Sequence, residues 1–333
     1  MALLKRYVLI VFVLLVVAAL VVGSFFYLNN SGGTQSITFG NLPLESSALI
    51  YVAEQQGFFK QNGLNVTIRD YETGMASVNA LLNGELDIAS GAEYPVVRMA
   101  FQKERIQIVG NMVKSELINL VSRKDHGIAT VSDLKGKTIA IPQGTIAEFF
   151  LGRFLSLNGI SMSDVTLVNM TLSQMEEAVV NGEADAIVNW QPYTNTVKDR
   201  LGSNAVVLSV QSSQQSFGPL ICRNDWITKN PEVVKKFLRS LAQAEEFINN
   251  NPAEAKAIVK NQMNFTDAYM ETVWKQNQYS LSLDQSLVAA LEDEARWTIN
   301  NNLTSERAVP NFLEYIYIDG LMSVKPESVN IIR

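Results

Sequence analysis

Residues 79–88 read Asn-Ala-Leu-Leu-Asn-Gly-Glu-Leu-Asp-Ile, and residues 177–187 repeat the phrase as Glu-Ala-Val-Val-Asn-Gly-Glu-Ala-Asp-Ala-Ile. Each copy closes a helix, sets a glycine (Gly84, Gly182) just past its end, and begins an apolar strand. Each strand then runs into a short polar-aromatic loop with a proline. These are Gly91-Ala92-Glu93-Tyr94-Pro95 in the first copy and Trp190-Gln191-Pro192-Tyr193 in the second. Two similar α/β halves, each presenting a loop at a strand's carboxyl end, predict two lobes facing across a cleft.

Outward from these copies the same order of elements appears twice. The first half reads strand 37–40, helix 48–56, strand 64–68, helix 74–84, strand 86–89, helix 93–103 and strand 106–110. The second reads strand 138–141, helix 147–157, strand 165–168, helix 173–181, strand 186–189 and strand 206–208. Ile37 and Ile139 lie 102 residues apart, and Gly84 and Gly182 lie 98 apart. So steady an offset marks a duplicated plan rather than a short tandem repeat, whose period is roughly 20–50 residues. Strands alternating with helices of this length imply mostly parallel sheets. The apolar stretches 117–122 and 217–221 read as crossings between lobes. They give lobe one as 36–122 plus 217–333 and lobe two as 123–216, with hinges near 119–125 and 214–219. Beyond Asn230-Pro231 the chain reads as helical, over about 252–262, 267–278, 284–300 and 309–321, with Trp274 and Trp297 in the core.

The N-terminus stands apart. Tyr7 to Leu28 is an apolar run of 22 residues preceded by Lys5 and Arg6. At 1.5 Å per residue it reaches about 33 Å, enough to cross a bilayer as a transmembrane helix. A cleavable signal peptide is the rival, with Gly23-Ser24 near a possible cut, but its apolar region is usually only about 7–15 residues. The length favours an uncleaved anchor over residues 1–30, followed by a polar tether at 31–35. Either reading exports the body, and the basic flank places the N-terminus in the cytoplasm.

Past that run 25 of the 27 basic residues face 33 acidic ones, a net of −8. An acidic body without a basic stripe argues against nucleic acid as a partner. The single cysteine, Cys222, sits in an apolar run and reads as a buried small hydrophobe. The single histidine, His126, reads as a solvated turn residue. No cluster of His and Cys suggests a metal, no nucleophile–base pair suggests catalysis, and nothing points to a cofactor.

In open α/β sheets ligands bind beyond the carboxyl ends of the strands. Four such loops can be named: Asn41-Leu42-Pro43-Leu44 and Ser90-Gly91-Ala92-Glu93 from lobe one, Gln143-Gly144-Thr145 and Asn189-Trp190-Gln191 from lobe two. Gly91, Gly144 and Thr145 precede helices, whose free N–H groups and positive ends suit an oxyanion such as sulfonate, nitrate or carboxylate. Trp190 offers an aromatic wall, and Asn189 and Gln191 offer neutral hydrogen bonds. Two carboxylates complicate this. Glu93 and Glu148 either favour their own helix ends or face the cleft, where they would repel a bare anion and suit an amine or an aminopyrimidine.

The run Val131-Ser132-Asp133-Leu134-Lys135-Gly136-Lys137-Thr138-Ile139-Ala140, then Gly144-Thr145, Asn181-Gly182-Glu183-Ala184-Asp185-Ala186 and Trp190-Gln191-Pro192-Tyr193, resembles the ABC-transporter solute-binding proteins for nitrate, sulfonate and taurine. The thiamine-precursor-binding proteins are their close relatives. Gly57-Phe58-Phe59, Gly63-Leu64 and Leu82-Asn83-Gly84-Glu85-Leu86-Asp87-Ile88 fit as well, so the resemblance covers about 36–325. It implies a type II periplasmic-binding-protein (Venus-flytrap) fold that closes on one small ligand and docks on a permease served by an ATPase. It places the pocket loops on Pro43, Gly91, Ala92, Thr145 and Trp190. Gln191 stands where the family often has Asp, and the apolar run replaces a lipidated Cys. The expected ligand set is Leu42, Pro43, Gly91, Ala92, Glu93, Gly144, Thr145, Asn189, Trp190 and Gln191. Two other readings share the fold. One is a thiamine-precursor enzyme, whose family relies on a Cys- and His-rich site that one Cys and one His match poorly. The other is a sensor, for which about six residues ahead of the span leave no output domain.

Overall fold

The computed structural model describes residues 33–332. The expected anchor at 1–30, its membrane span at 7–28 and the start of the tether lie outside the described residues. Among the described residues no helix is long and apolar enough to cross a membrane.

Two sheets carry the molecule. The first holds β1 (Gln35–Asn41), β2 (Leu64–Asp70), β3 (Ile88–Ser90), β4 (Ile106–Ser115), β10 (Ser216–Arg223) and β11 (Asn277–Ser282), in the order β11-β4-β10-β3-β1-β2. The second holds β5 (Ile118–Arg123), β6 (Thr138–Ile141), β7 (Thr166–Asn169), β8 (Ala186–Trp190) and β9 (Ala205–Ser209), in the order β7-β6-β8-β5-β9. Strand for strand, β2-β1-β3-β10-β4 matches β7-β6-β8-β5-β9. In each, three parallel strands meet one antiparallel strand, β10 against β3 and β5 against β8. Those antiparallel strands are exchanged between the two halves of the chain, which makes them the crossings.

The first crossing comes earlier than the sequence suggests. All of β5 belongs to the second sheet, so the chain changes sheets at Glu116-Leu117 rather than at 122–123. Its apolar residues give no sign of which sheet they serve, since a strand buried on both faces reads the same in either. The second changeover lies between Ser209 and Ser216. Gln211 ties the two together: its amide donates to Ser115 O at 3.0 Å, and its carbonyl accepts from Ile118 N at 2.8 Å.

Helices pack on the sheets as their spacing predicts, with hydroxyl caps at their starts. Thr73 accepts from Ala76 N, and Thr171 forms a capping box with Gln174. Gly182 ends its helix at φ 82, the left-handed region its missing Cβ allows. Two C-terminal expectations are corrected. The helix expected over 267–278 stops at Val273, and Asn277–Ser282 is the edge strand β11 on β4. Its buried Tyr279 and Leu281 alternate at period two. Over 309–321 there is a short turn at Phe312–Tyr315, a bridge from Ile316 to Ile108 and a helix at Asp319–Val324. Phe312 and Ile316 have helical spacing, yet Ile316 is held extended by that bridge. Cys222 is buried and free, and Trp274 and Trp297 pack half-buried on the core.

Candidate functional site

The carboxyl ends of the strands of both sheets meet at one cavity of roughly 750 Å³, open solvent included. Leu42 follows β1, and its carbonyl accepts the Ser47 hydroxyl at 2.8 Å, which fixes the loop. Gly91 and Ala92 follow β3. A Cβ on Gly91 would stand 3.0 Å from Gly74 Cα, so the loop lies here by close backbone contact that only glycine allows. From the second sheet come Thr145, which caps the helix Ile146–Leu157, and Trp190 and Gln191 at the end of β8. The crossings supply Ser115, Leu117, Ile118, Ser216, Phe217 and Gly218.

Of the ten residues expected at the ligand, Leu42, Gly91, Ala92, Thr145, Trp190 and Gln191 line this cavity. Pro43, Glu93, Gly144 and Asn189 do not. Glu93 is buried beneath the loop, where its Oε2 accepts from Phe217 N at 3.0 Å. Its carboxyl is pushed up by burial and hydrogen-bonds that of Glu294, which burial and the Glu93 charge raise well above the usual range. Glu93 therefore braces the second crossing. Gly144 donates its N–H to Glu148 Oε2 at 2.8 Å, so the N–H expected for an oxyanion is already taken. Glu148 thus serves its own helix end, and both residues face a separate polar hollow beside Arg98 and Tyr94. Asn189 is fully buried in β8, where its Oδ1 accepts from Trp190 N at 2.9 Å.

The carboxylate that does line the cavity is Glu45, one residue past the loop Asn41-Leu42-Pro43-Leu44 and not among the residues expected at the ligand. It is fully buried. Tyr269 donates to its Oε2 at 3.1 Å, its own backbone N–H and the Asn277 side chain lie near the carboxyl, and Oε1 makes no hydrogen bond of good geometry. Burial pushes its carboxyl up to about 7 against the hydrogen bonds that favour the ionised form. Its signal was legible: an acid inside a loop at a strand's carboxyl end. Met112 and Val113, past the expected end of the strand at 106–110, and Phe217, read only as part of a crossing, also line the cavity.

The polar lining is mostly spent. Ser47 donates to Leu42 O, Ser90 to Gly40 O at 2.9 Å, Thr145 to Pro142 O at 2.7 Å and Ser216 to Ser115 O at 3.3 Å. A hydroxyl carries one proton, so these four face the cavity as acceptors. No lysine, arginine or histidine is among the lining residues. Trp190 Nε1 and Gln191 Oε1 are buried and unpaired.

Residues 45–255 match the profile of the NMT1/THI5 like family. A Brucella abortus (strain 2308) chain named as a binding protein is 26% identical over 232 residues, 68% of this chain and 70% of that one. The taurine-binding periplasmic protein of Escherichia coli (strain K12) is 29% identical over 201 residues, 59% of this chain and 61% of that one. Among solved structures, the alkanesulfonate-binding protein SsuA of Xanthomonas axonopodis pv. citri, bound to MOPS, superposes with a TM-score of 0.75 at 19% identity, over 86% of this chain and 99% of that one. The fold also serves an enzyme: the desulfurization enzyme DSZB superposes with a TM-score of 0.66 at 14% identity, over 88% of this chain and 99% of that one.

Proposed function

The chain belongs to the NMT1/THI5 like family, and we propose on that footing that it is the solute-binding component of an ABC importer. It holds a small organic solute of the sulfonate and taurine class between its lobes and passes it to a membrane permease driven by an ATPase. The observation that carries this reading is the cavity itself. Loops at the carboxyl ends of strands in both sheets converge on it, and the two crossing strands complete its wall. Such a wall couples occupancy to hinge closure, because a solute touching both lobes favours the closed arrangement by its differential contacts. Leu42, Gly91 and Ala92 would hold the solute from one lobe, and Thr145, Trp190 and Gln191 from the other. The permease would then read the closed form.

Binding without chemistry is supported by the lining, whose hydroxyls donate to backbone carbonyls instead of pairing with a base. Burial pushes the Cys222 thiol well up, which keeps it out of nucleophilic chemistry. The apolar run at 7–28 would tether the body to the extracytoplasmic side of the membrane. Isothermal titration of the full-length chain in detergent with taurine, alkanesulfonates, nitrate and aminopyrimidines tests the reading. Saturable one-site binding of a member, with a fall in radius of gyration on binding, supports it. No heat from any of them overturns it.

A further inference from the structure

Resting on that reading, we propose that Glu45 sets the ligand class, and that the solute carries an N–H donor group, an amine or an amino-heteroaromatic nitrogen, bound at its unpaired Oε1. The sulfonate names of the relatives do not lead here; the lining does. Glu45 is a fully buried carboxylate: Tyr269 donates to Oε2, its own backbone N–H and the Asn277 side chain lie close enough to favour the ionised form, and Oε1 makes no hydrogen bond of good geometry. A buried charged acceptor left unpaired is costly, so a solute that supplies the donor is favoured over one that cannot.

The rest of the cavity argues the same way. No cation lines it, so the formal charge there is Glu45's own. The hydroxyl protons of Ser47, Ser90, Thr145 and Ser216 go to carbonyls, so those groups offer lone pairs. A bare anion would meet that carboxylate and these four acceptors, with neutral donors such as Trp190 Nε1 and the Gln191 amide to offset them. An amine meets what it needs. Across the cavity the unpaired Trp190 Nε1 can donate to the solute's other end, and Leu42, Met112 and Phe217 give its body an apolar bed. Glu45 follows the loop of β1 and Trp190 ends β8, so a solute that bridges them spans both sheets.

The test uses matched pairs on the full-length chain in detergent. Taurine is set against propane-1-sulfonate, which replaces the ammonium by a methyl group. 4-Amino-5-hydroxymethyl-2-methylpyrimidine is set against its analogue without the 4-amino group. We expect at least one amino member to bind about 100-fold more tightly than its partner, as sites built to hydrogen-bond a group reject analogues lacking it. Glu45→Gln, which keeps shape and removes a buried charge, should collapse that ratio below about tenfold, with an unchanged unfolding midpoint reporting the fold. Tyr269→Phe, which leaves the carboxylate but frees Oε2, should keep the preference for the amine. Equal affinity within both pairs, or a ratio that survives Glu45→Gln, overturns the assignment while leaving solute binding intact. No binding of any of the four overturns it together with the reading beneath it.

Discussion

Asp185 accepts the backbone N–H of Thr138 at 2.8 Å, at the start of β6, and Asp87 holds Thr38 in β1 in the same way at the same distance. The duplicated phrase thus ends in an aspartate that pins the neighbouring central strand, at the end of the sheet away from the cavity. Asp185 also meets His126 Nδ1 at 2.6 Å. Although burial pushes the other way, the Thr138 N–H and His126 hold its carboxyl below the usual range. Its stabilising effect is therefore full at neutral pH and is lost as pH falls below the ordinary Asp value. We expect Asp185→Ala to cost about 1–3 kcal/mol at pH 7 and progressively less below pH 4, read from unfolding midpoints.

Gly91 and Gly74 touch through their backbones, so a methyl at either must move a loop that lines the cavity. Neither has a positive φ among the described glycines, which leaves close approach as the cause. Gly74→Ala places a Cβ 2.8 Å from Gly91 Cα. The expected cost is about 1–3 kcal/mol of stability, with a loss of solute affinity of about tenfold or more as the Gly91-Ala92 loop shifts. Thermal melts and titration of the same preparation check both.

Much of this frame was legible because it rests on local chemistry. Gly182 closing a helix, Thr145 capping one and Trp190 ending a strand all follow from nearest neighbours along the chain. What escaped was set by distant partners. Arg123 donates to the carbonyls of Val179 and Val180, and Arg223 to those of Leu81 and Leu86, so each crossing strand caps the helix of a duplicated phrase. No spacing announces such a contact over more than fifty residues. Glu93, expected at the ligand, is turned from the cavity, and Glu45, given no role by the sequence, lines it, for the same reason. Which carboxylate faces a cavity depends on Phe217 and Tyr269, each more than a hundred residues away from its partner.

The Glu93–Glu294 pair should make the fold acid-favoured. Both carboxyls are pushed up by burial, so the folded chain keeps protons that the unfolded chain releases above the ordinary value near 4.5. Stability from this pair is full below that value and is lost as pH rises through the raised folded range. We expect unfolding midpoints to fall between pH 5 and pH 8. In Glu294→Gln an amide replaces the shared proton, and the slope should flatten, with a gain of about 1–3 kcal/mol at pH 8. A midpoint that rises over this range refutes the sign.

Solute binding should release a proton. Burial holds the Glu45 carboxyl near 7, and the titratable groups that act with it, Tyr51, Tyr269 and Tyr279, stay neutral there because burial raises them too. An ammonium group at Oε1 needs the carboxylate, so affinity for an amine rises with pH up to about 8 and levels off. Titration at pH 7 in buffers of different ionisation enthalpy should show up to about half a proton released, since a carboxyl held near 7 is about half protonated there, and none in Glu45→Gln.

Gly152 offers a way to hold the lobes apart without touching the cavity. It lies in the helix Ile146–Leu157 of the second lobe, and a Cβ there would stand 2.3 Å from Cζ2 of Trp297, on the helix Gln285–Asn300 of the first. Trp297 cannot simply yield, since Phe149 meets it edge-on at 5.5 Å and Tyr94 at 6.0 Å. Gly152→Ala should therefore push the two helices, and with them the lobes, apart from this arrangement. Alanine favours a helix interior over glycine by about 1 kcal/mol, so lost helix stability cannot explain a defect. We expect solute affinity to fall about tenfold or more and scattering of the bound form to show a larger radius of gyration than wild type. Trp297→Ala removes the aromatic contact and should weaken affinity by a smaller factor, about 2–10-fold. In the double variant the wedge has nothing to strike, so the effects should fall well short of additive. Additive losses would mean that Gly152 and Trp297 act on separate equilibria and that their contact does not control closure.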